Sequence, residues 1–499
     1  MKTDHANRRV VVIGAGLGGL SAALSLAADG YDVEVFEKND RPGGKLNVLE
    51  TQGFSFDLGP SILTLPQYFE KLFERHGRRM ADYVAIRTVT PHWRNFFEDG
   101  TRIDLVPDPE ETVSLNPVLS RDDASDLKSF LAYSKRLYER SEPGYFDRGL
   151  DTLWQMIRFY GLLATLRDFD LFSSMDGGVG RHVRNRHLRD ILDYFIKYVG
   201  SSPYDAPGVL NLLPHAQFEY GLWYVDGGMY GLARALGQLA KEVGVRMHFD
   251  AEVVALSPDA GRVAAAALAD GRRVEADVFV CNMEVIPAYT RLLGESSRFL
   301  KKLRKFEPAC SGLVLHLGTD REYPQLAHHN FFFSRDPKKH FADVFHRHVL
   351  PKDPTLYVVA PARTDRTQAP DGCENIKVLP HIPHLQDERF STEDYARLRE
   401  RVLDKLERMG LDDLRSHIVV EDMWTPEDIA RRYYSNRGAI YGVVADRWKN
   451  GGLKAPKKST KYANLYFVGG SVNPGGGMPM AVLSGQQVRD RIISESGER

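Results

Sequence analysis

The sequence predicts an α/β protein whose main parallel sheet is assembled from distant pieces of one chain. Two glycine-rich segments at opposite ends indicate this, VVVIGAGLGG at 10–19 and LYFVGGSVNPGGGMPM at 465–480. A third run, ADVFVCN at 276–282, has the apolar composition of a strand buried on both faces. We therefore expect the three segments to contribute strands to one discontinuous Rossmann-like sheet.

The first glycine-rich segment has the spacing of a dinucleotide-binding turn. A β-branched run at 10–13 leads into the G-x-G-x-x-G pattern of Gly14, Gly16 and Gly19. A helical pattern follows, and the next strand ends on an acid, Glu37. Glycines allow a tight turn and a close approach to a pyrophosphate at the helix amino end, and the acid accepts hydrogen bonds from a ribose. This order of elements predicts a dinucleotide site.

Further glycine-rich turns favour FAD over NAD as that dinucleotide. NDRPGGK at 39–45 adds two glycines and a cation, and FDLGP at 56–60 adds another turn that exposes backbone. The late glycines at 469–477 precede a predicted helix from Met480 to Ile493, whose positive amino end would face the flavin or the pyrophosphate. A long cofactor with two phosphates and a flavin head requires such repeated approaches of the backbone.

The predicted sheet divides the chain into two domains. Residues 1–75, 227–287 and 455–499 form a discontinuous FAD-binding domain. The intervening residues, 76–226 and 288–454, form an inserted substrate domain, which we expect to contain helices, a mixed sheet and any membrane contact.

Composition and charge exclude several classes of function. The 499 residues are 43% hydrophobic and carry 66 basic and 67 acidic side chains, for a formal net charge of -1. No overall field favours nucleic acid, so we expect no nucleic-acid partner. Three distant cysteines match neither a zinc spacing nor a disulfide framework, which indicates a reducing cytoplasm. No apolar run reaches the ~18 residues of a membrane span, so membrane contact must be peripheral.

One segment of the inserted residues 76–226 has the composition of an interfacial helix. Residues 150–172, LDTLWQMIRFYGLLATLRDFDLF, combine large apolar side chains with Arg158 and Arg167. Such a helix can lie in the headgroup region of a membrane. The pattern equally fits a helix packed in the protein's own core with its arginines extending to water. The sequence leaves both interpretations open.

Several stretches together carry a family pattern. They are FDLGPSILTL at 56–65, YFIKYVGSSPYDAP at 194–207, GLWYVDGG at 221–228, NMEVIP at 282–287, YPQLAHHNFFF at 323–333, SNRGAIYGVVAD at 435–446 and GGSVNPGGGMPM at 469–480. With these stretches, nearly the whole chain resembles the carotenoid desaturase and oxidase family, FAD proteins with an amine-oxidase-like fold. The stretches at 323–333 and 435–446 resemble its branch of thirty-carbon carotenoid oxidases.

The resemblance implies an FAD-dependent oxidase that converts the terminal methyl group of a thirty-carbon polyene, diaponeurosporene or diapolycopene, to an aldehyde. It also implies a lipophilic substrate and a cytoplasmic protein attached peripherally to a membrane surface. By position, the family's FAD contacts fall on Gly14, Ala15, Gly16, Leu17, Gly18, Gly19, Glu37, Lys38, Gly44, Lys45, Gly59, Pro60, Val253, Gly470, Ser471, Gly477 and Met480. At Ser471 the chain departs from the acid that many members carry, although a hydroxyl can still hydrogen-bond a phosphate.

Three hypotheses for the chemistry remain open. In the first, hydride removal from the terminal methyl group leaves a delocalised cation, water captures it, and a second oxidation gives the aldehyde. In the second, the cation loses a proton, which makes the protein a desaturase of diapophytoene or phytoene. In the third, FAD is structural and the protein only carries lipid. No catalytic acid or base stands out, because Asp205, Glu219, Asp226 and Glu284 all fit structural or surface roles.

The histidines and aromatic runs have two interpretations each. The adjacent His328 and His329 would point to opposite faces of a strand, which does not bring metal ligands together, and we expect no metal. The aromatic runs at 223–224, 331–333 and 433–434 fit either a polyene tunnel or an ordinary core. Only the family resemblance favours the tunnel.

Overall fold

A five-stranded parallel sheet forms the centre of the protein, which the computed structural model describes from residue 8 to residue 497. Residues 1–7 and 498–499, at the outer ends of the first and last predicted segments, lie outside the described residues. In spatial order the strands are Leu465–Phe467, Val278–Cys281, Arg9–Ile13, Asp32–Phe36 and Arg246–His248. The prediction of an α/β fold with a discontinuous Rossmann-like sheet is confirmed.

Three helices, Leu17–Ala28, Tyr230–Glu242 and Met478–Gly497, pack on one another beside this sheet. The first and last are in close contact, because Ser21 Oγ donates to Val482 O at 2.5 Å. The predicted late helix begins at Met478 and ends at Gly497, so it is longer than expected. On the other side, the strands Val253–Asp259, Arg262–Leu268 and Arg273–Glu275 form an antiparallel sheet.

A second, eight-stranded sheet is mixed, as predicted for the inserted part of the chain. In spatial order its strands are Ile418–Trp424, Val314–Thr319, Glu374–Ile382, Leu356–Val359, His329–Phe332, Trp93–Phe96 and Arg102–Leu105, with Ser311–Gly312 beside Glu374–Ile382. Only the pairing of His329–Phe332 with Trp93–Phe96 is parallel.

The two faces of the mixed sheet have different partners because side chains alternate along each strand. Phe332 and Val358 pack with the helix Thr392–Arg408. Phe331 and Tyr357 point to the opposite, inner face and belong to the same apolar cluster as the parallel sheet. The inner face is therefore the one that can border a cofactor.

Shorter elements complete the fold. Val48–Thr51 and Phe54–Asp57 form a β-hairpin, and Ile86–Thr88 pairs antiparallel with the distant strand Trp223–Val225. The remaining α-helices are Gln67–Glu74, Pro109–Leu115, Arg121–Ser141, Leu153–Tyr160, Leu162–Asp168, Met175–Gly180, Arg186–Asp193, Leu212–Tyr220, Val285–Pro287, Ser297–Lys301, Pro337–Phe345 and Pro426–Tyr433. A 3-10 turn, Tyr194–Tyr198, follows the helix Arg186–Asp193 directly.

The segment at 150–172 is not one helix. Leu153–Tyr160 and Leu162–Asp168 are separated by Gly161, whose φ of +84° breaks the helical path. Trp154 is 65% exposed and Leu163 is 83% exposed, so the interpretation as a core helix is wrong. Within residues 8–497, no helix has the length and apolar character needed to cross a membrane.

A buried cluster of charges fastens the helical insertion to the C-terminal part of the chain. Lys457 Nζ lies 2.5 Å from Asp151 Oδ1, and both side chains are 2% exposed. Arg491 Nη1 lies 3.1 Å from Asp151 Oδ2. Lys457 also donates to Gly149 O at 3.0 Å. Each charge is thus paired and hydrogen-bonded, as burial requires.

Candidate active site

The turn after the first strand leaves a helix amino end available to an anion. Gly14 has φ +94°, a left-handed value that glycine adopts without strain, and its N–H donates to Phe36 O at 2.8 Å. Gly16 is the N-cap of Leu17–Ala28, and no described side chain caps that helix or places an acid in its first turn. Its first N–H groups can therefore donate to a pyrophosphate.

The carboxylate of Glu37 lies beside this turn, and backbone groups fix its position. Glu37 is 4% exposed. Its Oε2 accepts the N–H of Ala15 at 2.7 Å, and its Oε1 accepts the N–H of Asn39 at 3.0 Å. A carboxylate oxygen accepts more than one hydrogen bond, so capacity remains for ribose hydroxyls. The geometry fits the ribose-binding acid that the sequence predicts.

Asn282 borders the glycine turn, and sequence reasoning missed it. Its side chain lies so close that a Cβ on Gly16 would come within 2.4 Å of Asn282 Nδ2. A Cβ on Gly18 would lie 2.8 Å from Gly469 N, in the late glycine segment. At Gly18 the close neighbour is backbone, so only glycine fits there, and at Gly16 any side chain would have to displace the Asn282 amide. The signal that could have identified Asn282 is its place directly after a buried parallel strand, at the edge where such sheets bind ligands.

The second predicted glycine segment packs against the first. Gly43 N–H donates to Ala15 O at 2.9 Å, and a Cβ on Gly44 would lie 3.2 Å from Gly16 Cα. Gly59 abuts the backbone of Lys45, since a Cβ there would lie 1.8 Å from Lys45 O. Pro60, next along the chain, is half-buried.

The Lys45 ammonium is paired with acceptors of the protein. Its Nζ lies 3.2 Å from Glu284 Oε1 and donates to Ala439 O and Ile440 O at 3.2 and 3.3 Å. Glu284 also accepts the N–H of Asn436 at 2.9 Å. The pair thus joins the early glycine segment to the chain at 436–440.

The late glycine segment lies against the first, as the sequence predicts. Gly469 N–H donates to Ser484 Oγ at 2.8 Å, and Gly470 packs beside Gly476. Ser471 Oγ accepts the N–H of Val285 at 3.0 Å, which leaves its own proton to donate. Gly477 is exposed and Met480 half-buried at the start of the following helix.

Two residues predicted to contact FAD, Lys38 and Val253, pack against other side chains of the protein. Lys38 Nζ is 3.9 Å from the ring centre of Tyr434. Val253 is 5% exposed and shares an apolar cluster with Ile13 and Phe36. The structure therefore brings Gly14–Gly19, Glu37, Gly44 and the late glycines together, with Lys38 and Val253 packed on neighbouring groups.

A buried lysine of the mixed sheet fastens the segment at 57–61. Lys377 Nζ donates to Asp57 O at 2.9 Å, and to Gly59 O and Ser61 Oγ at 2.5 Å each. Burial lowers the pKa of Lys377 to about 8, and burial raises the pKa of Asp57 to about 6. Lys377 lies on the inner face, so the mixed sheet directly supports a predicted FAD segment.

The inner face of the mixed sheet carries a buried cluster of aromatic side chains, which we call the aromatic pocket. The ring centres of Phe331 lie 4.7 Å from Trp93, 4.9 Å from Tyr357 and 5.3 Å from Tyr194. Among the runs considered from the sequence, Tyr224, Phe331 and Phe333 are 0% exposed, and Phe332 points to the outer face. The pocket therefore uses alternate residues of the run at 331–333 rather than all of it.

The histidines of this pocket are neutral and contain unpaired nitrogens. Burial lowers the pKa of His328 and of His381 to about 3, and lowers that of His329 well below its usual value. Nε2 of each has no hydrogen-bond partner within the described chain. Unpaired buried polar atoms are rare in a closed core, so they indicate a space for a ligand or water.

The prediction that His328 and His329 diverge is wrong. Their ring centres lie 4.3 Å apart, because His328 precedes the strand and is not bound by its alternation. In the part of the chain that the structure describes, no three His, Cys, Asp or Glu side chains converge as a metal site.

The four acids considered for catalysis occupy structural or surface positions. Asp205 lies 2.9 Å from His346 Nε2, Asp226 pairs with Arg87 at 2.5 Å, and Glu284 pairs with Lys45. Glu219 is exposed. None of the four is an unpaired acid inside the pocket.

A helix amino end that no described side chain caps, beside the buried acid Glu37, is the arrangement expected of an FAD-dependent oxidoreductase. Comparison with known proteins agrees with this class. The chain belongs to the flavin containing amine oxidoreductase family, whose model matches residues 17–493.

Curated relatives match almost the whole chain. The chain is 60% identical over 493 residues to 4,4'-diapolycopene oxygenase of Methylomonas sp, covering 99% of each. It is 55% identical over 486 residues to 4,4'-diaponeurosporene oxygenase of Staphylococcus aureus (strain USA300), covering 97% of this chain and 98% of that one. Among solved structures, putrescine oxidase bound to putrescine covers 98% of this chain and 99% of its own, with 16% identity and a TM-score of 0.66. That last likeness shows the fold alone.

Proposed function

We propose that the protein is a carotenoid oxidase that converts the terminal methyl group of a thirty-carbon polyene, diaponeurosporene or diapolycopene, to an aldehyde. The observation that carries the proposal is the 60% identity to a diapolycopene oxygenase over 99% of both chains. The buried aromatic pocket on the inner face supports it, because flat apolar rings suit a conjugated hydrocarbon.

We propose that FAD binds across the two glycine segments. Glu37 would hold the ribose, and the amino end of Leu17–Ala28 would hold the pyrophosphate. Gly44, Lys45, Gly59, Pro60, Gly470, Ser471, Gly477 and Met480 would line the remainder, with Lys38 and Val253 at its edge. When bound, FAD supplies the removal of two electrons and a hydrogen from the substrate. The protein's own residues bind and orient the polyene and exclude bulk water.

We propose the predicted division into domains as well. Residues 1–75, 227–287 and 455–499 would form the FAD-binding domain, and residues 76–226 and 288–454 the substrate domain. The parallel sheet supports this, since all five of its strands come from the first set of ranges.

We propose that the protein binds a membrane surface peripherally, on the cytoplasmic side, through an apolar patch. The patch consists of the exposed side chains Leu153, Trp154, Phe159, Leu162, Leu163, Leu166, Phe172 and Trp448. Arginines flank it, since the Arg158 guanidinium lies 5.4 Å from the Trp154 ring centre and that of Arg447 lies 5.6 Å from Trp448. Large apolar side chains beside cations match an anionic lipid interface.

Replacing two side chains of the patch should release the protein from vesicles. Each large apolar side chain contributes about 1.5 kcal/mol or more when buried, so Trp154→Ser with Leu163→Ser should weaken binding about 100-fold. The measurement is co-sedimentation with vesicles of phosphatidylglycerol and phosphatidylcholine. The matched control is Leu115→Ser with Val118→Ser, two exposed apolar residues at the opposite end of the helix Arg121–Ser141. Equal binding by the patch variant and the wild type would contradict the membrane proposal.

Product mass after incubation in liposomes tests the function. We expect diaponeurosporene or diapolycopene to gain oxygen at a chain end. A product of diapophytoene that has only lost hydrogen, with no oxygenation of the other polyenes, would make the protein a desaturase. Unchanged polyenes together with flavin that does not bleach anaerobically would indicate a lipid carrier.

A further inference from the structure

Lys197 lies in the aromatic pocket without a charged partner. It is 4% exposed and belongs to the turn Tyr194–Tyr198. Within residues 8–497, its Nζ makes neither a hydrogen bond nor an ion pair. Its contacts are with four rings, whose centres lie 4.0 Å away for Tyr198, 4.7 Å for Tyr357, 4.9 Å for Trp93 and 5.4 Å for Phe331. A buried, unpartnered amine of this kind costs stability, so a role in the pocket is expected.

The position of this amine is next to the proposed FAD segments. Tyr198 O lies 3.9 Å from where a Cβ of Gly477 would stand, which places the turn against the late glycines. On the opposite side, Tyr357 shares the inner face with Lys377, whose amine holds Gly59. Lys197 therefore lies between the late glycine segment and the part of the mixed sheet that holds the segment at 57–61, within the aromatic pocket proposed for the polyene end.

The surroundings favour a neutral amine. Burial lowers the pKa of Lys197 well below its usual value. The titratable groups that face it are Tyr198, Tyr357, His329 and His381; burial raises the pKa of both tyrosines and lowers that of both histidines, so all four are neutral. No described carboxylate pairs with Lys197. The free amine has a lone pair that can accept a proton.

We propose that Lys197 is the base that takes the proton from the terminal hydroxyl group when the intermediate alcohol is oxidised to the aldehyde. This rests on the proposed oxidase function. The O–H bond breaks and its proton moves to Nζ. The C–H bond at the carbon that bears the oxygen would break as well, and FAD, when bound, would accept its hydrogen together with both electrons. The electron pair left on oxygen forms the C=O bond. The resulting ammonium lies near four rings, and cation–π attraction stabilises it.

The test compares two substrates on the holoprotein with Lys197→Met. Methionine fills a similar volume and can still pack against the four rings, and it removes the cost of burying an unpaired amine. We expect anaerobic flavin bleaching by the terminal alcohol to slow about 100-fold or more, the usual loss for a general base, with bleaching by the parent hydrocarbon little changed. The alcohol should accumulate where the wild type makes aldehyde. Lys197→Gln keeps a polar side chain but cannot act as a base, and it should give the same results as Lys197→Met.

The matched control is Lys405→Met. Lys405 is buried as well, with 2% of its side chain exposed, but it lies on the outer side of the mixed sheet and pairs with Asp353 at 2.7 Å. Its loss should lower stability without changing the ratio of alcohol to aldehyde. Wild-type conversion of the alcohol by Lys197→Met and Lys197→Gln, or an equal slowing with both substrates, would overturn the proposal. A wild type that forms no oxygenated product would instead overturn the proposed function beneath it.

Discussion

Gly16→Val should yield protein without flavin absorbance. The Cβ alone would come within 2.4 Å of Asn282 Nδ2, and the branched side chain would occupy the space where a pyrophosphate must approach the amino end of Leu17–Ala28. We expect loss of both bound flavin and polyene oxidation. The measurement is the visible spectrum of the purified protein, with FAD released by denaturation and quantified against protein.

A matched substitution separates this effect from general damage. Gly497→Val places the same side chain where a Cβ meets no atom of the described chain within 4 Å, and it should leave flavin content at the wild-type level. Circular dichroism of the Gly16 variant should still show helices and strands. Stoichiometric FAD in folded Gly16→Val protein would refute the assignment of the turn.

Lys457→Met should lower the free energy of unfolding by about 3–5 kcal/mol, because it leaves the buried Asp151 carboxylate without its nearest cation. Arg491 remains at 3.1 Å and offsets part of the loss. The measurement is urea unfolding of the holoprotein. Adding Asp151→Asn should recover part of the stability, because the double variant no longer buries an unpaired charge.

An exposed pair provides the comparison for this prediction. Lys128 and Glu110 are 54% and 61% exposed, and Lys128→Met should cost no more than about 1 kcal/mol. Equal costs for Lys457→Met and Lys128→Met would mean that burial of the Asp151 cluster contributes nothing to stability.

The parts of the site that the sequence predicts are those encoded by local order. The G-x-G-x-x-G turn and Glu37 depend on residues close in sequence, and the structure places them in contact as expected. The late glycines could be predicted because a strand precedes them and a helix follows. A site residue can be predicted from the nearby sequence when the motif around it explains why a glycine or an acid is required at that position.

Other residues gain their role only from packing between distant segments. From the sequence, Lys197 is indistinguishable from an ordinary surface lysine. Its buried position depends on Trp93, Phe331 and Tyr357, which come from three different strands. Asn282 likewise depends on the parallel pairing of its strand with Arg9–Ile13. The helix break at Gly161 had a local signal, because a glycine stands there within an apolar run. Glycine is also tolerated inside helices, so this signal alone does not predict a break.

The edge strand Leu465–Phe467 precedes the half of the proposed cofactor site that is synthesised last. It pairs with Val278–Cys281, and the helix that follows covers Leu17–Ala28. During synthesis the early glycine turn therefore leaves the ribosome long before its other half exists, with one sheet edge still open. A nascent chain that stops before residue 465 lacks the second half of the proposed FAD site. We therefore expect stable flavin binding only from chains that extend past the late glycines.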